Sequence, residues 1–412
     1  MKRRHLLAFS LLAVAPFVGS LAAAPKTTGA IDGDKLFING KPPYEGRSGS
    51  VLPAGEDTLR IEVGPEFVID DNAGGKIRQF PFLEYLDGKL FATFSQHADT
   101  YIEHPLDGMR VSEDGGATWP IYIQNLDFYL TSIVKLPDGR LLGVSYMTYW
   151  VDARHATCHY WISSDRGKNW AHHTGTVETP QDMVKGFGNW GGIVFHRNIL
   201  VMPDGSLQGT MNGKYVGDAK YRVIWVKSVD QGATWSVVST VANGPADIPG
   251  HEAYCESGVI RVADGSLLVV MRVESFLPLY QSRSTDGGLT WSAPTTLPGV
   301  PPEETHSVDP ELTLMANGTL VLSYGRPKTR MLFSLDGSGR NWGNLTETFD
   351  HGTGYTGVRE VAPNRLLVIT ENSVHKRINN GFHNLNLAPP KIVGKYIDVV
   401  RSDAAVDKPK PE

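Results

Sequence analysis

Cysteine is scarce: Cys158 and Cys255 are the only two in 412 residues. A disulfide framework therefore cannot be the basis of the fold, although one bridge is permitted. No cluster of histidine, cysteine and carboxylate side chains has metal-ligand spacing, no glycine-rich loop has phosphate-binding form, and no serine-nucleophile elbow occurs. The sequence thus gives no sign of a cofactor. Positive charge is also short, with 39 Lys and Arg against 44 Asp and Glu and a net charge of −5. Such a surface argues against nucleic acid as a partner and offers no long-range attraction to acidic ligands. An anionic ligand has to be caught by a local cationic cluster.

Long apolar runs are missing everywhere except at the start, "MKRRHLLAFSLLAVAPFVGSLAAAP". A basic beginning, an apolar stretch broken by Pro16 and a run of small residues read as a secretory signal cleaved around Ala22 or Ala23. Residues 1–23 are expected to be a signal peptide, 24–57 an N-terminal extension and 404–412 a tail. The mature chain is then secreted or periplasmic, without a membrane span. Loss of Lys2, Arg3 and Arg4 takes the net charge from −5 to about −8.

What the sequence does contain is turns. Forty-four glycines and 26 prolines point to many short strands. One turn recurs as Ser-x-Asp-x-Gly-x-x-Trp: "SEDGGATW" (112–119), "SSDRGKNW" (163–170), "SVDQGATW" (228–235), "STDGGLTW" (284–291) and, with one extra residue, "SLDGSGRNW" (334–342). A second set interleaves with it: "LDGK" (86–89), "PDGR" (137–140), "PDGS" (203–206), "ADGS" (263–266), "ANGT" (316–319) and "APNR" (362–365), each between two apolar runs. Six hairpins of the second kind, all but the last followed by one of the first, give six units of about four strands. The economical architecture is all-β, a six-bladed β-propeller over residues 58–403. The last unit lacks its own Ser-Asp-Trp turn, so an early strand such as "TLRIEV" (58–63) is expected to complete it beside "GKYIDVVRS" (394–402).

The recurring box reads as structural: its aspartate caps turn amides, its glycine takes positive φ and its tryptophan packs between strands. It also orients each unit. Both kinds of turn fall at one end, so the start of strand 1 and the end of strand 2 lie at the other. There stand Arg78, Asp99, Glu256, Arg272, Arg326 with Arg330 close behind, Tyr355 and Glu371. Aromatic and histidine side chains share that face: Tyr101, His104, Tyr149, Trp150, His155, Trp190 and Tyr254. Aromatic rings there suit the faces of sugars.

The sequence resembles the bacterial sialidases (exo-α-neuraminidases) over roughly residues 75–375. Besides the box, three strand pairs carry the likeness: "RQFPFLEYLDGKLFATF", "ESGVIRVADGSLLVVMR" and "YTGVREVAPNRLLVITE". The resemblance implies that Arg78, Arg272 and Arg326 form a triad around a substrate carboxylate, and that Glu371 holds Arg78. It makes Tyr355 the nucleophile, Glu256 its base and Asp99 the acid/base residue. Arg330 competes with Arg326, and Asp107 with Asp99. The family's Arg-Ile-Pro reads Arg78-Gln79-Phe80-Pro81 here, with the proline one place late, which shifts a bulge or alters the pocket.

Elementary chemistry agrees with those roles. Guanidinium forks match carboxylates in shape and charge. A neutral phenol avoids the repulsion an anionic nucleophile would meet at a carboxylated anomeric carbon, provided a neighbouring carboxylate takes its proton. A separate acid protonates the leaving oxygen. The expectation is an exo-α-sialidase acting with retention on sialylated or other acidic glycans. Two alternatives are a lyase or hydrolase of uronic acids and a non-catalytic glycan-binding propeller.

Overall fold

A computed structural model of the chain describes residues 29–32, 35–38, 47–51 and 57–403. Short gaps fall at 74, 76, 98–106, 127–129, 187, 275–276, 306–307, 327, 352–353, 374, 379–380 and 385–388. The expected signal peptide and tail, and with them Asp99, Tyr101 and His104, lie outside the described residues. Among those residues the structure is all-β apart from one 3-10 turn, Pro302–Thr305. No helix there is long and apolar enough to cross a membrane.

The strands form repeated antiparallel sheets in chain order. Gln79–Leu86, Lys89–Ser95, Asp107–Ser112 and Ile121–Leu126 make one four-stranded sheet. A nine-stranded sheet follows, running from Leu130–Lys135 to the short strands Ile193–Phe195 and Leu200–Val201, both paired with Leu207–Gly213, with its two antiparallel halves joined by a parallel pairing of Ala171–Glu178 with Thr234–Asn243. Two further four-stranded sheets begin at Tyr254–Arg261 and Val308–Leu314. In the last sheet, Ile392–Asp403 lies between Arg365–Glu371 and Asp57–Val63. The two ends of the fold are thereby tied together by backbone hydrogen bonds.

The first strands of successive sheets lie side by side. Thr356–Ala362 packs on Val308–Leu314 and on Gln79–Leu86, and Val308–Leu314 on Tyr254–Arg261, which also meets the second strand Leu207–Gly213. Every residue of the second strands Lys89–Ser95, Leu207–Gly213 and Leu267–Val273 is buried, as expected of strands covered on both faces. The apolar core fills the spaces between sheets. One cluster joins Val321, Met331 and Phe333 to Val358, Val368 and Ile397 of the next sheet.

The recurring box is held by its own residues. In 228–235, Ser228 Oγ donates to Asp230 at 2.8 Å, the Thr234 amide donates to the same carboxylate at 2.8 Å, and Trp235 Nε1 donates to the Gly232 carbonyl at 3.1 Å. In the box at 284–291 the tryptophan instead reaches Ser239 Oγ of the preceding sheet, at 3.0 Å. Gly288 sits at φ +93°, and a Cβ there would come 2.1 Å from Trp225 Nε1, so this turn tolerates only glycine. Each box thus closes one hairpin and packs it on its neighbour.

Candidate active site

First strands of several sheets carry a β-bulge at the end away from the boxes: register shifts lie between Gln79 and Phe82, Tyr254 and Ser257, and Val308 and Glu311. Phe80, at φ +57°, occupies the first bulge, immediately before the displaced Pro81. The same ends deliver functional side chains. Glu256 lies near the start of its strand and Arg272 near the end of the next; Tyr355 precedes Thr356–Ala362 and Arg326 follows Leu320–Gly325. The loops holding Arg326 and Tyr355 touch at two glycines: a Cβ on Gly325 would come 2.6 Å from Gly354 Cα.

Glu256, Arg272, Arg326 and Tyr355 line one cavity of about 350 Å³ together with Glu252, Tyr146, Trp190, Asn212 and Tyr221. That volume falls within the range of small-ligand sites, roughly 300–1,000 Å³. The Tyr355 hydroxyl donates to Glu256 Oε1. Arg272 Nη1 donates to the same oxygen at 2.6 Å, and the Asp309 amide donates to Oε2 at 3.2 Å. Burial pushes the Glu256 carboxyl up, but Arg272, the nearby His196 and the Tyr355 hydroxyl outweigh it and hold the group below its ordinary range. Burial, with Glu256 and Asp309 adding to it, drives the Tyr355 phenol well above its usual value. The pair is therefore a protonated phenol hydrogen-bonded to an ionised carboxylate, the arrangement of a nucleophile with its base.

Beneath Tyr355 lies a buried ionic network that the sequence reading did not include. The Arg197 guanidinium stands 5.8 Å from the Tyr355 ring centroid and pairs with Asp309 at 2.5 Å and Glu311 at 3.2 Å. Arg359 bridges Glu311 at 2.7 Å and Glu84 at 2.9 Å. Asp309 and Glu311 open a first strand, so the end-of-strand rule signals them. Arg197 lies in the break between Ile193–Phe195 and Leu200–Val201, and Glu252 precedes a bulge, where strand limits are illegible in sequence.

Two expected roles are corrected. Arg78 does not line the cavity. Its side chain is 3% exposed, and its Nε donates to Asp70 at 2.8 Å while the Asp70 carboxylate also takes Arg110 at 2.8 Å. Nor does the structure set Glu371 against Arg78: Glu371 Oε2 accepts the Phe80 amide at 2.8 Å, holding the bulge, while Asp70 holds Arg78. The Phe80 amide that Glu371 accepts lies within the bulge, directly before Pro81. Arg330 pairs with Glu304 at 3.1 Å, whereas Arg326 lines the cavity. Asp107 is 1% exposed at the start of its strand.

Of the aromatic residues expected on this face, Trp190 reaches the cavity, and Tyr254 lines a separate one with Tyr280 and Pro249. Lys185 stands over Trp150, His155 pairs with Asp152, and Tyr149 packs edge-on against His159. Cys158 and Cys255 are both buried free thiols. Among the described residues no group of three or more His, Cys, Asp or Glu stands ready to hold a metal.

The chain belongs to the BNR repeat-like domain family, whose profile matches residues 130–355. No curated protein matches it in sequence. Solved structures share its fold. A protein of unknown function from Dyadobacter fermentans is 17% identical with a TM-score of 0.62, over 82% of this chain and 99% of its own. The Hadza microbial sialidase Hz136 is 15% identical with a TM-score of 0.58, over 90% and 73%. The α-L-arabinanase of Penicillium chrysogenum is 16% identical with a TM-score of 0.57, over 82% and 98%.

Proposed function

We propose that the protein is a six-bladed propeller glycoside hydrolase of the exo-α-sialidase type, removing a terminal sialic acid or related nonulosonic acid from glycans with retention. Six blades follow if the two antiparallel halves of the nine-stranded sheet count separately. The observation that carries the activity is the Tyr355–Glu256 hydrogen bond in a cavity also lined by Arg272 and Arg326. Fold-sharing proteins include a sialidase and an arabinanase, so the site and not the fold favours a carboxylated sugar.

In the first step Tyr355 Oη bonds to the anomeric carbon as its proton passes to Glu256. The bond to the leaving oxygen breaks, and that oxygen takes a proton from an acid, the role proposed for Asp99, which follows Lys89–Ser95 in the sequence. In the second step water adds to the anomeric carbon and gives a proton to the now deprotonated acid, while the bond to Tyr355 breaks and the phenolate takes its proton back from Glu256. Two displacements give retention. Arg272 and Arg326 receive the substrate carboxylate, and the rings of Trp190, Tyr146 and Tyr221 stand in the same cavity to pack against the sugar. With Arg78 committed to Asp70, two arginines do what the family resemblance gives to three.

Release of a fluorogenic N-acetylneuraminic acid glycoside by the wild type, lost in Tyr355→Phe, is the expected result. No release, with an unsaturated uronate absorbance formed from uronic glycans, would move the protein to the lyases. Neither signal, with glycan binding intact, would make it a binding module.

A further inference from the structure

At least three of the five guanidinium N–H donors of Arg272 are taken by the protein itself. Its Nη1 donates to Glu256 at 2.6 Å, its Nη2 to Glu252 at 2.9 Å and its Nε to the Glu274 carbonyl at 3.0 Å. Only one of these partners can be exchanged. Glu256 is committed to Tyr355 and the Asp309 amide, with its side chain 8% exposed. Glu252 is 35% exposed and lines the cavity. The charged side chains of that cavity balance, Arg272 and Arg326 against Glu252 and Glu256, so an incoming carboxylate meets no net attraction. We propose that Glu252 is a specificity-determining residue: an internal carboxylate that holds Nη2 of Arg272 until a sugar's own carboxylate displaces it. The idea rests on the reading that the cavity takes a carboxylated sugar.

The local structure lets the side chain leave while the backbone stays. The Glu252 and Ala253 amides both donate to Glu274 Oε1, the latter at 3.0 Å, and the Glu252 carbonyl accepts the Tyr221 amide at 2.8 Å. Ala253 sits in the left-handed region at φ +61°, which fixes the direction in which the chain enters the strand. The groups facing Glu252 are Arg272, Glu256, Glu274, Cys255 and Tyr221. Burial and the two neighbouring glutamates outweigh Arg272 and raise its carboxyl above the ordinary range. Mild acid therefore neutralises Glu252, frees Nη2 and favours acidic sugars. At higher pH the ionised Glu252 competes with them.

Calorimetric titration of wild type, Glu252→Gln and Glu252→Ala with 2-deoxy-2,3-didehydro-N-acetylneuraminic acid and with glucuronate tests this. Thermal melts verify that each variant is folded. Glu252→Gln keeps the shape and an acceptor oxygen but not the charge. It is expected to bind a carboxylated sugar at least about tenfold tighter near neutral pH. The wild-type Kd is expected to weaken as pH rises above the ordinary carboxylate range, and that slope to vanish in Glu252→Gln. Unchanged or weaker binding by folded Glu252→Gln, or no binding of either sugar by any variant, overturns the proposal. Turnover of the fluorogenic sialoside reports separately on the activity. If it is absent while glucuronate binds Glu252→Gln more tightly, the displaced carboxylate stands and the substrate becomes a uronate.

Discussion

The hydroxyl of Tyr355 and the Nη1 of Arg272 donate to one oxygen, Oε1 of Glu256. That shared acceptor keeps the carboxylate ionised beside a phenol that stays protonated. In the proposed mechanism, removing the phenol removes the nucleophile, and replacing Glu256 by glutamine removes the base. Tyr355→Phe and Glu256→Gln should each lower kcat by about 10²–10⁴-fold, and the double variant should lose little more than either alone. Multiplicative losses in steady-state kinetics would mean that the two residues act separately.

Two arginines should separate by what they do. Arg326 lines the cavity, so Arg326→Ala should raise KM for an acidic glycoside and leave the melting temperature close to that of the wild type. Arg78 belongs to a buried ion pair with Asp70, and its removal leaves that buried carboxylate with Arg110 as its one cationic partner among the described residues. Arg78→Ala should cost about 3–5 kcal/mol of stability in denaturant melts. An Arg78→Ala protein of normal stability and raised KM would return that residue to the substrate site.

His196 sets an acid limit on stability. Burial, against the opposing pull of Glu256, lowers its pKa to about 4. A histidine lowered in the folded state stabilises fully above its unfolded value, near 6.5, and that contribution is lost as pH falls towards 4. The loss is on the order of 3 kcal/mol for a group 3% exposed. His196→Gln should show a flatter dependence of unfolding free energy between about pH 6.5 and 4 than the wild type. Parallel curves would place the titrating group elsewhere.

The box tryptophans differ in burial, and so should their costs. Trp235 is wholly buried in the cluster with Phe195 and Ile224, so Trp235→Ala should cost about 3–5 kcal/mol. Trp291 is only partly buried, and Trp291→Ala should cost less. Equal losses would show that the hydrogen bonds of the box, and not its packing, dominate.

Periodic turns are written in local sequence, because Asp-Gly and Ser-x-Asp-x-Gly-x-x-Trp act within a few residues; the hairpins were legible for that reason. Strand ends follow from the turns, which is how Glu256, Arg272, Arg326 and Tyr355 were reached. The partners of Arg78 were not legible. Asp70 lies on a short strand before the first repeat unit and meets Arg78 only through the pairing of Phe67–Asp70 with the last strand, Ile392–Asp403. Glu252 was missed because its place in the cavity follows from the left-handed backbone at Ala253 just before the strand, which leaves no mark in hydrophobic periodicity. The Arg197 network joins residues from different sheets, such as Arg197 and Glu311, 114 positions apart, and no local pattern encodes that meeting.

Incubation of the protein with a 2,3-difluorosialic acid, followed by intact mass and peptide mapping, tests the central claim most directly. The account predicts a single glycosyl adduct on Tyr355, absent from Tyr355→Phe. Turnover of the fluorogenic sialoside without such an adduct, or an adduct on any other residue, would contradict it.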